Sequence, residues 1–456
     1  MPGALEEPAP LPTADAFVDG DNRIPGELLL TLDADATASL EDRSTYTVAG
    51  AMSVEALGVT GALPPLQATL EALGVTSMQP LYGPSPPTVR YGMAMAVESA
   101  PTLDVRVRFD AGIDLSEATD QLRDTAGVLH AEANRYRTTC LEPNDPRFAE
   151  QWGLAAISAP AAWDRTTGDA AVAVAVVDTG VDLQHRELAG LLLPGQNLVD
   201  LGPNPVAPRD WVFEGTLDGA GKPPQDEVGH GTHVAGTIGC ESNNGVGVTG
   251  VTWGCRLLPV RVLARARHKN GQIAGFGSAA DIAAGIRWSS DHGARVVNLS
   301  LGSRDATEVE RRAVDYAWGR GAVVVAAMGN DNSDVAAFPA AFPDVIAVGA
   351  VDRAHGKAAF SNEGAHIGVV APGVEILSTH WGTDSYASMN GTSMATPHVA
   401  GVAALILSAA PDLTNDDVAR ILRETATPLG TQADKHRFGA GLVNAEKAVA
   451  AAQAAR

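Results

Sequence analysis

The sequence predicts an α/β chain: a doubly wound, mostly parallel sheet flanked by helices, preceded by a smaller α+β domain. Two patterns carry this. From residue 170 onward, runs of Val and Ala suited to strands buried on both faces alternate with Ala-rich helical stretches. Before residue 140, a strand, helix, strand pattern occurs twice. The length, 456 residues, has room for two or three domains.

Taken in order, residues 1–24 hold Pro, Ala and acidic side chains without apolar periodicity, and a mobile tail is expected. Residues 27–32 read as a strand, Leu66, Leu70 and Leu73 give a helical stripe after Pro64-Pro65, and 76–82 read as a strand. In the second copy Leu103, Val105, Val107 and Phe109 alternate with Asp104, Arg106 and Arg108. A helix with Leu115, Ala118 and Leu122 inward follows, then a strand through 128–131. Two such halves make a split βαβ, ferredoxin-like domain over 25–140. Residues 33–62 lengthen the first half and match no element. Residues 135–147, with Pro143 and Pro146, should be extended, because residues before Pro avoid the helical region.

In the second region, 141–456, residues 172–177, 257–263, 294–299, 322–327 and 345–348 read as buried parallel strands, and 280–288 and 309–318 as covering helices. Sites in such sheets form beyond the C-terminal ends of strands, and Asp178 stands at one. Residues 195–226, rich in Pro, Gly and Asp, form a long insertion expected on the surface. The closing stretch 411–451 carries Val418, Ile421 and Leu422 at helical spacing.

Gly391-Thr392-Ser393 runs directly into an apolar helical pattern, which seats Ser393 where unpaired N–H groups and the positive end of the helix dipole meet a developing oxyanion. Alone, such a serine is an ordinary helix cap. A nucleophilic serine also needs a base and a carboxylate to orient that base. His230-Gly231-Thr232-His233 opens a second small-residue helix, and Asp178-Thr179-Gly180 ends a strand, with Asp182 as the rival carboxylate. In these three motifs and their order, the chain resembles the subtilisin-like (subtilase) serine proteases from about 144 to 449.

That resemblance implies a serine endopeptidase in which Asp178 orients His230, His230 takes the Ser393 proton, and the Asn330 side chain joins the Ser393 N–H in holding the oxyanion. It implies protein or peptide substrates bound as an added strand between Ser300, Leu301 and Gly302 on one side and Gly275 and Gly277 on the other. Ala326, Ala327 and Ala337 at the first pocket suggest a neutral, apolar or aromatic residue before the cut. A structural calcium is implied at the loop from Ser242 to Val248, with Asn244, the carbonyls of Ser242, Val246 and Val248, and carboxylates from Glu187 and Asp145. Glu187 stands where the family often has Asp. The domain at 25–140 takes the place of a pro-domain that assists folding and then inhibits, with self-cleavage between about 134 and 144. A secreted, monomeric enzyme made as a zymogen is expected. A catalytically silent relative acting as a binding module is the alternative, and an intracellular protease is a second one.

Several other classes are excluded. The formal charge of −22, from 32 basic and 54 acidic residues, is wrong for a phosphate backbone, so no nucleic acid partner is expected. No uninterrupted apolar run approaches the roughly 18 residues of a membrane span. An aspartic protease needs a second D-T-G or D-S-G, which is missing. His230 and His233 lack the Glu of an H-E-x-x-H zinc site. Ala395 breaks a G-x-S-x-G elbow at Ser393. The N-terminal residues show no basic n-region or apolar h-region, so no secretory signal is expected in this chain. Three cysteines make no disulfide framework; Cys240 and Cys255 are either bridged or two buried thiols.

Overall fold

The computed structural model describes residues 23–41, 64–81, 102–109, 112–135, 141–382 and 384–455. The chain divides into two compact units, Met1–Thr139 and Cys140–Arg456. In the first, β1 (Arg23–Leu32), α1 (Ala34–Glu41), α2 (Pro64–Ala72), β2 (Val75–Pro80), β3 (Leu103–Phe109), α3 (Leu115–Arg123) and β4 (Val128–Arg135) follow one another. The sheet is antiparallel in the order β2-β3-β1-β4. Alternation decides the faces: Leu28, Leu30 and Leu32 of β1 and Val105 and Val107 of β3 bury with Leu66, Leu70 and Leu122 of the helices. Asp114 starts α3 by accepting the N–H groups of Ser116 and Glu117. Two expectations need correction. Residues 34–41 form a helix where no element was expected, and residues 23 and 24 belong to β1 and not to a tail. Residues 1–22 and Cys140 lie outside the described residues.

The second unit begins with two one-turn helices, α4 (Trp152–Ala156) and α5 (Ala159–Trp163). It continues through β5 (Ala173–Asp178), β6 (Gln196–Asn197), β7 (Trp211–Phe213), α6 (His230–Ile238), β8 (Arg256–Arg261), β9 (Ala264–His268), β10 (Ile273–Phe276) and α7 (Ala279–Asp291). Then come β11 (Ala294–Leu299), α8 (Glu308–Gly319), β12 (Val323–Ala327), β13 (Val345–Val351), β14 (Ile367–Pro372), β15 (Ile376–His380) and β16 (Ser385–Met389). Helices α9 (Thr392–Ala409), α10 (Asn415–Glu424), α11 (Lys435–Phe438) and α12 (Ala445–Ala454) close the unit.

Seven strands form one parallel sheet in the order β14-β13-β12-β11-β5-β8-β6. Every residue of β5, β12 and β13 is buried, as a sheet covered on both faces requires. Helices α7 and α8 pack on each other and on β5, β8, β11 and β12, whereas α9 crosses β5 and β11 to β14 beside α6 and α12. This is the α/β architecture the sequence predicts. Helix α9 is long and apolar enough to span a membrane, but 89% of it is buried inside the protein, which makes it the core helix.

The 195–226 insertion is stitched into the fold. Its β6 joins the edge of the main sheet, and β7 pairs with β9 in a three-stranded sheet ordered β10-β9-β7. Arg261, 1% exposed at the end of β8, donates to the Gln225 and Thr216 carbonyls and pairs with Glu227 at 2.8 Å. Burial alone raises the Glu227 pKa, but hydrogen bonds from Arg261 and Thr216 outweigh it and hold the group at about 2. Because that value lies below the ordinary one, the contribution is full above about pH 4.5 and is lost as pH falls toward 2. Glu227→Gln leaves a buried guanidinium uncompensated and should cost about 3 kcal/mol near neutrality. Melting curves in a Ser393→Ala background should show the gap to the parent closing as pH drops through this window.

Candidate active site

Strands β5, β11 and β12 are neighbours in the parallel sheet, so their C-terminal ends lie along one edge. Asp178 closes β5, Ser300 follows β11, and Met328-Gly329-Asn330 follows β12. Helix α6 begins with His230 and α9 places Ser393 in its first turn. A cleft of about 840 Å³ is lined by His230, Ser393 and Asn330 together with Ser300, Leu301, Gly302, Gly275, Gly277, Ala327 and Ala337. Ala326 is instead fully buried in the sheet. Sequence reasoning gave no sign of His380 and Met389, which reach the cleft from the β15–β16 hairpin.

The Asp178 carboxylate is fully buried; its Oδ1 accepts the Thr179 N–H at 2.7 Å and faces His230 Nδ1 at 2.7 Å. Asp182 is taken up elsewhere, by the N–H groups of Gln184 and Gly382. The His230 side chain keeps 22% exposure on the cleft side. Burial lowers the His230 pKa, but the charge and hydrogen bond of Asp178, with a further push from Asp226, leave it raised overall.

Ser393 hydroxyl donates to the Ser300 carbonyl at 3.2 Å, and the Ser300 hydroxyl donates back to the Ser393 carbonyl at 2.8 Å. The second bond has a cause in the sequence. Four residues on stands Pro397, which has no N–H for the Ser393 carbonyl, and Ser300 supplies the missing donor. Asn330 Oδ1 accepts both the N–H of Thr392, at 2.8 Å, and its hydroxyl, at 3.0 Å. The amide is thereby oriented, with Nδ2 left as its free donor. A Cβ built on Gly391 would stand 3.5 Å from both Asn330 Nδ2 and the Ser393 nitrogen, so the two nitrogens lie close together beside Gly391. Thr392 was missed because a threonine in a helix's first turn carries no distinguishing sequence signal.

A second buried carboxylate, Asp226, was also missed. It accepts from Thr179 Oγ1, from Thr232 Oγ1 and from the N–H groups of Val228, Gly229 and Thr232, tying the first turn of α6 to the end of β5. The other histidines of the motifs pack inside. His233 Nε2 meets the Ile376 and Ala387 carbonyls, and His398 Nδ1 meets Met394; burial lowers their pKa values to about 3 and about 4. Cys240 and Cys255 are free buried thiols, near the Gly236 carbonyl and the Ser408 hydroxyl respectively.

At the loop 242–248, Asp145 accepts the N–H groups of Asn243 and Asn244, while Asn244 Oδ1 accepts from Val246. Ser242, through its hydroxyl, and Val248, fully buried, complete the turn. Glu187 Oε1 accepts the Tyr386 hydroxyl at 2.9 Å, and its buried Oε2 has no partner. An orphaned carboxylate oxygen near a second carboxylate suits a cation. Among the described residues no three His, Cys, Asp or Glu side chains form a metal cluster, so carbonyl and amide oxygens would have to supply most ligands.

A parallel sheet with aspartate, histidine and serine gathered beyond its strand ends defines a serine hydrolase of the subtilisin type. The subtilase family model matches residues 169–441, and the chain belongs to that family. It is a serine endopeptidase. A thermophilic serine proteinase of Bacillus sp. (strain AK1) is 40% identical over 313 residues, 68% of this chain and 71% of that one. An extracellular protease of Xanthomonas campestris pv. campestris is 39% identical over 382 residues, 76% of this chain and 64% of that one. A protease structure from Pseudoalteromonas arctica, 37% identical, covers 68% of this chain and 99% of its own with a TM-score of 0.57.

Because Asp226 is one of the charges that raise the His230 pKa, Asp226→Asn should move the acid limb of the kcat/KM profile to lower pH. A pH-rate series on a fluorogenic peptide, wild type against variant, checks the direction.

Proposed function

We propose that Asp178, His230 and Ser393 act as a catalytic triad on peptide bonds, with Asn330 and the Ser393 N–H as the oxyanion donors. The observation that carries this is the 2.7 Å contact between buried Asp178 and His230 on a cleft that also holds Ser393 and Asn330. With Nδ1 engaged by Asp178, His230 offers Nε2 to the serine. The Ser393 hydroxyl leaves the Ser300 carbonyl by rotation, gives its proton to His230 Nε2, and its oxygen attacks the substrate carbonyl. Negative charge then builds on the carbonyl oxygen between the two N–H donors, and His230 passes the proton to the leaving amine. Water, deprotonated by His230, releases the acyl group. In subtilisin itself, losing the side-chain donor costs about 10²–10³ in kcat.

Substrate binds as an extended strand. Strand β10 pairs with β9 on one edge only among the described residues, which leaves the other edge for main-chain bonds near Gly275. Ala327 and Ala337 carry no charge, in keeping with a neutral residue before the cut. The N-terminal unit serves as an intramolecular inhibitor removed by self-cleavage between about 134 and 144, and the enzyme acts as a monomer. Its place is outside the cell, which the extracellular protease among its relatives supports.

Expression of wild type beside Ser393→Ala tests both parts. Wild type should lose the N-terminal unit and label with a fluorophosphonate, while the variant stays full length and unlabelled. An unlabelled wild type would point to a silent binding module.

The 242–248 loop would hold a calcium ion through Asn244, the Ser242, Val246 and Val248 carbonyls and Glu187, with Asp145 fixing the loop or adding a ligand. A bound cation would supply positive charge to the otherwise unpartnered Glu187 oxygen. Chelation of Ser393→Ala protein should lower its Tm, reversibly on calcium addition, by about 2.7 kcal/mol of stability when calcium was at 100 times its Kd. Calorimetry with Glu187→Ala should show no such response.

A further inference from the structure

The cleft wall contains one charge that nothing answers. Besides the histidines, its charged residues are Arg304, Asp331 and Glu310. Arg304 and Asp331 pair with each other at 3.2 Å, on exposed side chains. Glu310 stands in the first turn of α8 and is 94% buried, with 6% of its surface exposed. One carboxylate oxygen accepts the Thr307 hydroxyl, and no cation among the described residues pairs with it. Apolar residues share the lining with it. Ala279 and Ile282 reach the cleft from the first turn of α7, and Leu301 from the cleft-edge segment.

Helix capping accounts for part of this arrangement. Thr307 caps α8 by accepting the Glu310 N–H, and the Glu310 side chain returns a contact to Thr307. Capping needs only one carboxylate oxygen, whereas here the whole group is buried in the cleft wall, and burial raises its pKa. A buried carboxylate facing a substrate groove gains most from an ammonium or guanidinium that arrives with the substrate, desolvated by the same walls.

We propose that Glu310 forms the floor of a subsite for a basic side chain, Lys or Arg, at one peptide position other than the residue seated against Ala327 and Ala337. The pairing is electrostatic and non-covalent. It rests on the proteolytic reading of the cleft and adds a preference at a second point along the bound strand. A neutral residue before the cut and a basic residue elsewhere in the same peptide are compatible, because different walls meet them.

Quenched fluorescent peptides that differ only by Lys, Arg, norleucine or Glu at each position test this on the processed enzyme. At one position wild type should favour Lys or Arg over norleucine by about tenfold or more in kcat/KM, the worth of a hydrogen bond to a charged group. In Glu310→Gln, which keeps an acceptor for Thr307, that ratio should fall to within about twofold, through loss of the Lys and Arg rates. A wild type that cleaves these peptides with no basic preference at any position overturns the inference and leaves the protease reading intact. So does a Glu310→Gln variant that loses thermal stability but keeps the preference. Failure of wild type to cleave any peptide overturns the proteolytic reading and the subsite with it.

Discussion

The contact on which the rest depends joins Asp178 to His230. A carboxylate at the end of a strand buried on both faces is costly, and here only one of its oxygens is satisfied: Oδ1 receives Thr179 and His230, while buried Oδ2 has no partner. An unmade hydrogen bond of this kind costs roughly 1–3 kcal/mol, more for a charged group. The fold tolerates it because the neighbouring elements fix both members. Asp178 cannot swing away from the sheet, and His230 cannot leave α6, whose first turn is strung to Asp226. Held close, the carboxylate favours the charged imidazole by its charge and its hydrogen bond.

The serine side is built on a different principle, the open end of a helix. Thr392 and Ser393 occupy the first turn of α9, where N–H groups have no intrahelical acceptors. Thr392 spends its own N–H on Asn330, which aims the amide, and the Ser393 N–H stays available beside it. Pro397 removes a further donor, and Ser300 replaces it, so α9 is bonded directly to a cleft-edge segment. Three strand ends and two helix starts are thus locked by short polar contacts.

Much of this was legible in the sequence because the signals are local or strongly patterned. Val172 to Val177 admits only a buried strand, Gly391 to Ser393 before an apolar helix fixes a helix start, and alternation in 103–109 fixes which face of β3 is buried. What was not legible depends on distant partners. Thr392, Asp226 and Glu310 look like ordinary polar residues near helix starts; each gains its role from a residue tens of positions away or from burial that composition does not reveal. The insertion looked like loop because Trp211 to Phe213 is too short to read as a strand until β9 supplies its partner. Cys240 and Cys255 flank one loop, but chain proximity says nothing about direction, and their sulfurs turn to Gly236 and Ser408.

Residues 225–229 connect these parts physically. The Gln225 carbonyl accepts from Arg261, and Asp226 gathers the start of α6. Glu227 binds Arg261 and Thr216 with its side chain and Arg265 with its carbonyl. Arg265 belongs to β9, which carries β10, the cleft's strand-pairing edge. Neighbouring residues therefore serve different elements: the Asp226 side chain holds the start of α6, and the Glu227 carbonyl holds β9 through Arg265. Trp211 from the insertion packs against Phe276 of β10 at 5.0 Å, closing the same loop of contacts from the far side. A displacement of β10 would pull on Arg265 and hence on the segment that ends in His230, so the position of this sheet edge and that of the imidazole are set by one continuous set of bonds rather than by two independent ones.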